Sequence, residues 1–113
     1  MTPPEGTESG DVLDHHGVQL DRARGTVTVA GRQRALTATE YRLLEFLMRQ
    51  PGQAFTRAEL TRAALGGRVV VGERTIDVHV CSLRRKLRSP GVIETLRGVG
   101  YRFRQSAPRG DGP

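Results

Sequence analysis

At 113 residues the chain is long enough for one domain around one core and too short to carry a catalytic or receiver domain beside it. Its one cysteine rules out an internal disulfide framework and a cysteine-based zinc site, and no apolar run exceeds three residues, which disfavours a membrane partner. The formal charge of +6 lies within residues 68–104, where nine basic side chains meet three acidic ones and the remainder is neutral, a local patch that nucleic acid would attract.

Residues 1–10, MTPPEGTESG, have no apolar periodicity and read as a linker; residues 106–113 read as a tail, leaving 11–105 as the domain. The N-terminus also lacks the cationic start and apolar stretch of a signal peptide, so the expected location is the cytoplasm. GVQLD, TVTVAG and RQRAL are short β-prone segments separated by Arg-Gly and Ala-Gly turns, which predicts a small antiparallel sheet from about Val12 to Leu36. TATE then sets Thr37 as N-cap with Glu40 at N3, a capping box that opens a buried helix running to about Gln50. TRAE repeats the device with Thr56 and Glu59, and Leu60, Ala63 and Ala64 make a short helix stopping at Gly66-Gly67.

After the loop GGRVVVGE comes the segment 73–88. On a helix at about 100° per residue, Ile76, Val80, Leu83 and Leu87 form a narrow buried stripe. Opposite it lie Arg74, Val78, Cys81, Ser82 and Arg85, with Thr75 and Arg88 at the margins and Arg84 toward a flank. This outward face has cationic ends and small side chains between them, which lets a large anion approach closely. The helix stops at Ser89-Pro90-Gly91, and VIETLRGVGYRFRQ follows as a hairpin with Arg97 at its tip.

Three helices, the last one basic and followed by a basic hairpin, are the order of a winged helix-turn-helix. Such a helix fits a B-DNA major groove about 12 Å wide. Val78 then suits a thymine methyl, Thr75 and Ser82 suit base edges or phosphate, and Arg97 suits the adjacent minor groove.

The set LTATEYRLLEFLM, FTRAEL, RTIDVHVCSLRRKL and TLRGVGYRF, over about residues 17–104, resembles the OmpR/PhoB-type winged-helix effector domain of bacterial two-component response regulators. The resemblance implies an α+β fold: an N-terminal antiparallel sheet of four strands, a three-helix core and a C-terminal β-hairpin wing. It implies binding to double-stranded DNA for transcriptional regulation, as a head-to-tail dimer on direct repeats, with no cofactor. By the same resemblance Arg74, Thr75, Val78, His79, Ser82 and Arg84 match DNA-facing positions, Thr95 and Tyr101 match phosphate contacts, and Arg97 matches the minor-groove arginine. Periodicity prefers Arg85 to Arg84 for the outward face. The loop 66–73 matches a segment that in activators can touch RNA polymerase, although the commoner fate of three valines such as Val69, Val70 and Val71 is to pack the loop onto the core.

Some residues depart from the family pattern. Cys81 and Ser82 stand where long polar residues are common, so the DNA sequence read by relatives does not transfer, and Leu65 stands where a tryptophan is common, which removes one possible phosphate contact. No receiver domain is included. Either the chain is the output piece of a longer regulator, the reading its linker-like start favours, or it is a regulator without one.

Rival readings are blander or chemically poorer. Asp14-His15-His16 opens a phosphoesterase motif, but that chemistry needs further carboxylate and histidine clusters, so exposed residues at the start of the sheet are expected and no metal site. Cys81 reads as a residue tolerated for its small size. Asp77, flanked by basic residues, is expected to fix the wing or the helix by an ion pair. A winged-helix module that binds protein without specific DNA readout is the alternative function. A nucleic-acid enzyme is disfavoured, since the basic region offers only Asp77 and Glu94 near His79.

Overall fold

The computed structural model describes residues 11–66 and 75–105; residues 1–10, 67–74 and 106–113, and with them the predicted linker, the tail, Arg74 and nearly all of the 66–73 loop, lie outside the described residues. Four strands, β1 (Val12–His15), β2 (Val18–Asp21), β3 (Thr26–Val29) and β4 (Arg32–Arg34), form an antiparallel sheet in that order. Its register sets Val18 against Val29 and Leu20 against Val27, and all four are buried, so one face of the sheet belongs to the core. The β1–β2 and β3–β4 turns are two-residue connections, His16-Gly17 and Ala30-Gly31, in which both residues have positive φ. That backbone matches the twist of the flanking strands.

Both predicted capping boxes are present. In α1 (Ala38–Met48) the Thr37 hydroxyl accepts from the Glu40 backbone N–H at 3.1 Å while the Glu40 carboxylate accepts from the Thr37 N–H at 2.9 Å. In α2 (Arg57–Leu65) Thr56 and Glu59 do the same, and Gly66 closes the helix in the left-handed conformation at φ 65°. α3 runs Ile76–Leu87, with Thr75 at the N-cap position and Arg88 at the C-cap. All four predicted stripe residues, Ile76, Val80, Leu83 and Leu87, are at most 3% exposed.

A short 3-10 turn at Pro90–Val92 leads into the hairpin of β6 (Ile93–Leu96) and β7 (Gly100–Phe103). Between α1 and α2 lies β5 (Phe55–Thr56), whose pairing with β7 gives a second sheet in the order β5-β7-β6. Gly100 makes that pairing possible: a Cβ there would run into the Phe55 carbonyl oxygen. Leu43, Leu44, Leu47, Leu60, Leu83 and Phe103, fully buried, join both sheets and the three helices in one core. The observed order of elements is that of a winged helix-turn-helix.

Candidate nucleic-acid interface

With its apolar stripe committed to the core, α3 turns Val78, Cys81 and Arg85 outward. Val78 is 40% exposed, one of the two large apolar side chains left in solvent among the described residues, and it shares an open groove with Asp77, Cys81, Ser82 and Arg85. Arg85 continues into a second depression with Cys81, Arg84 and Arg88. Among the described residues, an apolar centre with arginines toward the C-terminal end of the helix matches the predicted outward face, save at one residue.

Ser82 is that residue. It is half-buried, and its hydroxyl donates to Glu40 Oε2 at 2.7 Å. Periodicity placed it outward because it stands only about 50° from the centre of that face, yet Lys86, one turn later on the same flank, donates to Glu40 Oε1 at 2.8 Å. Glu40 is 3% exposed and holds α1's capping box besides receiving these two α3 donors. Burial alone would raise its pKa, but the hydrogen bonds from Lys86, the Thr37 backbone and Ser82 outweigh that and hold the carboxyl below its ordinary value.

Arg84 stands on the opposite flank, where periodicity put it. Its Nε and Nη2 donate to the Ile93 carbonyl at 3.1 and 2.6 Å, and Nη2 also donates to Thr95 Oγ1 at 2.8 Å. The guanidinium carbon lies 5.5 Å from the centroid of the Tyr101 ring. Arg84 and Thr95 therefore join α3 to the wing.

Tyr101, matched by resemblance to a phosphate contact, is 5% exposed, and its hydroxyl donates to Asp77 Oδ1 at 2.6 Å. Arg57, the first residue of α2, donates from Nε to the same oxygen at 2.7 Å and lies over the Tyr101 ring at 5.2 Å. Hydrogen bonds from Tyr101 and then Arg57 hold the Asp77 carboxyl below its ordinary pKa. Desolvation, reinforced by Asp77, raises that of Tyr101. The structural role expected of Asp77 is thus visible as a junction of α2, α3 and the wing. Arg57 itself escaped the sequence reading, because in TRAE it looked like part of a helix cap and its partner lies 20 residues away.

At the wing tip Arg97 and Val99 are exposed, with Gly98 at φ 78° and the Val99 N–H bonded to the Leu96 carbonyl at 2.9 Å. Arg102 pairs with Glu94 across the hairpin at 2.7 Å. Thr75 is exposed at the start of α3 and His79 is half-buried beside it. Arg74 lies outside the described residues. His15 and His16 sit far along the chain from these groups, at the β1–β2 turn: both rings lie near Phe103, and His16 Nε2 is 3.0 Å from the Gln105 carbonyl oxygen. Burial holds the His15 pKa below its ordinary value. No helix among the described residues is long and apolar enough to cross a membrane.

Residues 31–103 match the family described as "Transcriptional regulatory protein, C terminal". The chain is 46% identical over 87 residues to the phosphate regulon transcriptional regulatory protein PhoB of Rhizobium meliloti, an alignment covering 74% of this chain and 38% of that protein. It thus spans well under half the length of the relative it matches. Among solved structures, the DNA-binding domain of CpxR from E. coli is 35% identical, with a TM-score of 0.72, and the alignment covers 85% of this chain and 98% of that one. The DNA-binding domain of RstA from Klebsiella pneumoniae, solved in complex with the RstA box, is 28% identical with a TM-score of 0.71, over 82% of this chain and 96% of that one.

Proposed function

The chain belongs to the OmpR/PhoB-type family of transcriptional regulatory protein C-terminal domains, and from that premise we propose that it binds double-stranded DNA sequence-specifically, as the output domain of a two-component response regulator acting in the cytoplasm. The family is one of transcription-factor domains and not of enzymes. The observation that carries the reading is the division of labour on α3. Its flanks are tied by Ser82, Lys86 and Arg84, while Val78, Cys81 and Arg85 stay open to solvent.

In this reading α3 enters the major groove. Val78 contacts a thymine methyl, and Arg85 reaches phosphates or guanine edges. Thr75 and His79 stand at the N-terminal end of the helix, and Arg74, which precedes Thr75 in the sequence, adds a further DNA contact. Arg97 enters the minor groove beside it, with Val99 at its side. Arg84 and Thr95 set the wing's position, and Ser82 sets the helix's position, so these three act on readout through placement. Two copies bind head-to-tail on direct repeats, and the 66–73 loop addresses RNA polymerase; both proposals rest on family resemblance.

Selection of a random duplex pool on the purified chain, then anisotropy titration of the enriched and a scrambled duplex at about 50 and 200 mM salt, tests this. With six to ten phosphate contacts the affinity should fall by roughly 10³ to 10⁵ between those salts. Enrichment of two half-sites in direct repeat is the expected result. Salt-sensitive binding with no enriched sequence would leave only a basic surface, and the winged-helix protein-binding reading would replace this one.

A further inference from the structure

Resting on the DNA-binding reading above, we infer that the DNA-contacting surface runs past the C-terminal end of α3 onto the N-terminal sheet, where Arg34 of β4 and Arg88 hold backbone phosphates outside the major-groove half-site. Arg34, Arg85, Lys86 and Arg88 line one open depression with Gln33 and Ala35, and no carboxylate lines it. Glu40 already takes the charge of Lys86, at 2.8 Å. The three guanidinium groups make no hydrogen bond and no ion pair among the described residues.

Both outer arginines stand in places that their own domain does not explain. Arg34 lies opposite buried Val27 on the edge strand of the sheet, and its Nε is buried with no hydrogen-bond partner. Arg22 is the other arginine with such an Nε, but it pairs through Nη1 with Glu45 at 3.6 Å. Arg34 has no such acceptor. A buried donor without one is costly, and a phosphate supplies what the domain lacks. Arg88 closes α3 in the left-handed conformation at φ 58°, where glycine is favoured and where Gly66 serves α2. An exposed arginine kept in that strained backbone is explained by what its side chain reaches.

Continuity with the reading face decides what these charges meet. Arg85 lines this depression and also the groove of Val78 and Cys81, so a duplex seated on α3 brings its phosphates to the same edge. The twelve residues of α3 span about 18 Å, more than the major groove's width of about 12 Å, so the C-terminal end of the helix meets the backbone that borders the groove. Arg84, on the flank opposite Lys86, holds the wing. The duplex is therefore held from both sides, by Arg97 on one and by Arg34 and Arg88 on the other. An acidic protein would have to displace the duplex from Arg85.

The test uses the selected duplex with one phosphate at a time replaced by neutral methylphosphonate, titrated at fixed salt with the wild-type chain, R34Q and R88G. The wild type should lose about tenfold in affinity at phosphates outside the half-site, on the side away from the wing. R34Q and R88G should each erase the loss at one of these, bind the unmodified duplex about tenfold more weakly, and have a salt slope shallower by about one. The base preference selected by either variant should match the wild type's. R88G also relieves the left-handed backbone, so weaker binding in a chain at least as stable excludes a merely structural role. R34K, which keeps the charge without the planar fork, serves if R34Q fails to fold; its loss at the Arg34 phosphate should be smaller than the wild type's.

A wild-type chain insensitive to every phosphate outside the half-site overturns the inference, and so do variant profiles identical to the wild type's. Unchanged DNA profiles together with lost binding to a poly-glutamate peptide would assign the depression to an acidic protein and overturn it too. A wild-type chain that enriches no duplex fails the DNA-binding reading instead, so the two failures are distinguishable.

Discussion

Ser82 on α3 donates its hydroxyl to Glu40 on α1 at 2.7 Å, across 42 residues of sequence, and this bond takes a polar group off the reading face. Removing it in S82A loses a hydrogen bond to a carboxylate, about 1.5 kcal/mol or more, offset by about 0.5 kcal/mol of better helix propensity. The net expectation is about 1 kcal/mol of lost stability in urea denaturation with an unchanged preferred DNA site. V78A should do the reverse, with little effect on folding and a changed preference at the base it contacts. A new site preference for S82A would mean that the hydroxyl leaves Glu40 to read DNA.

Glu40 serves the α1 cap and both α3 donors at once. E40A should therefore cost more than an ordinary cap mutation of about 1 kcal/mol, on the order of 2–3 kcal/mol, since the cap and two charge-assisted bonds go together. T56A, a cap at an exposed helix start, should cost about 1 kcal/mol. Equal losses for the two variants would show that the α1–α3 bonds contribute nothing.

The contrast between these two caps shows what the sequence made legible. Short-range devices were visible: the two capping boxes, the Ala30-Gly31 turn, and the α3 stripe whose spacing is fixed by the helix itself. β1 was harder, because Val12 and Leu13 are only half-buried and VLDH shows no alternation. β5 was invisible, being two residues long and including the Thr56 cap. On α3 the helical wheel placed Val78, Arg85 and Ser82 outward, as the first two lie but not Ser82, and it had no means of pairing Arg57 with Asp77. Partners 20 and 42 residues away decided where those two side chains point.

Stability should fall with acid in two steps. Burial depresses the His15 pKa below its ordinary 6.5, so just below that pH the unfolded chain binds a proton that the folded chain does not. Stability is then lost as pH drops from 7 through that window. Glu40 and Asp77 are also depressed, from 4.5 and 3.8, so the stability they contribute is present above those values and lost below them. Urea midpoints between pH 7.5 and about 3 should show a shallow limb and then a steeper one. H15Q should flatten only the first and E40Q reduce only the second. A wild-type midpoint that stays constant from pH 7.5 to 5 contradicts the His15 assignment.

Gly100 and Gly98, two residues apart on the wing, should respond differently to alanine. A Cβ at Gly100 meets the Phe55 carbonyl, and backbone cannot yield as a side-chain tip can. G100A should cost about 3 kcal/mol and separate β5 from β7. At Gly98 nothing lies within 4 Å, and the penalty is only that of φ 78°, about 1 kcal/mol. Thermal melts rank the two directly, and a G98A loss as large as that of G100A would contradict the packing argument.

Arg84 reaches the wing through the Ile93 carbonyl and Thr95, with its guanidinium over Tyr101. R84Q should lose those bonds to the wing while leaving the core stripe of α3 intact, because Leu83 and Leu87 are fully buried in the core independently of them. The consequence for DNA follows from which element reads which groove. Preference at the positions facing Val78 and Arg85 should persist, whereas any A·T preference set by Arg97 in the minor groove should weaken, as it would in R97A. Repeating the duplex selection with both variants checks this. If R84Q instead scrambles the major-groove positions and spares the flanking A·T preference, Arg84 reads bases from α3 and does not tether the wing.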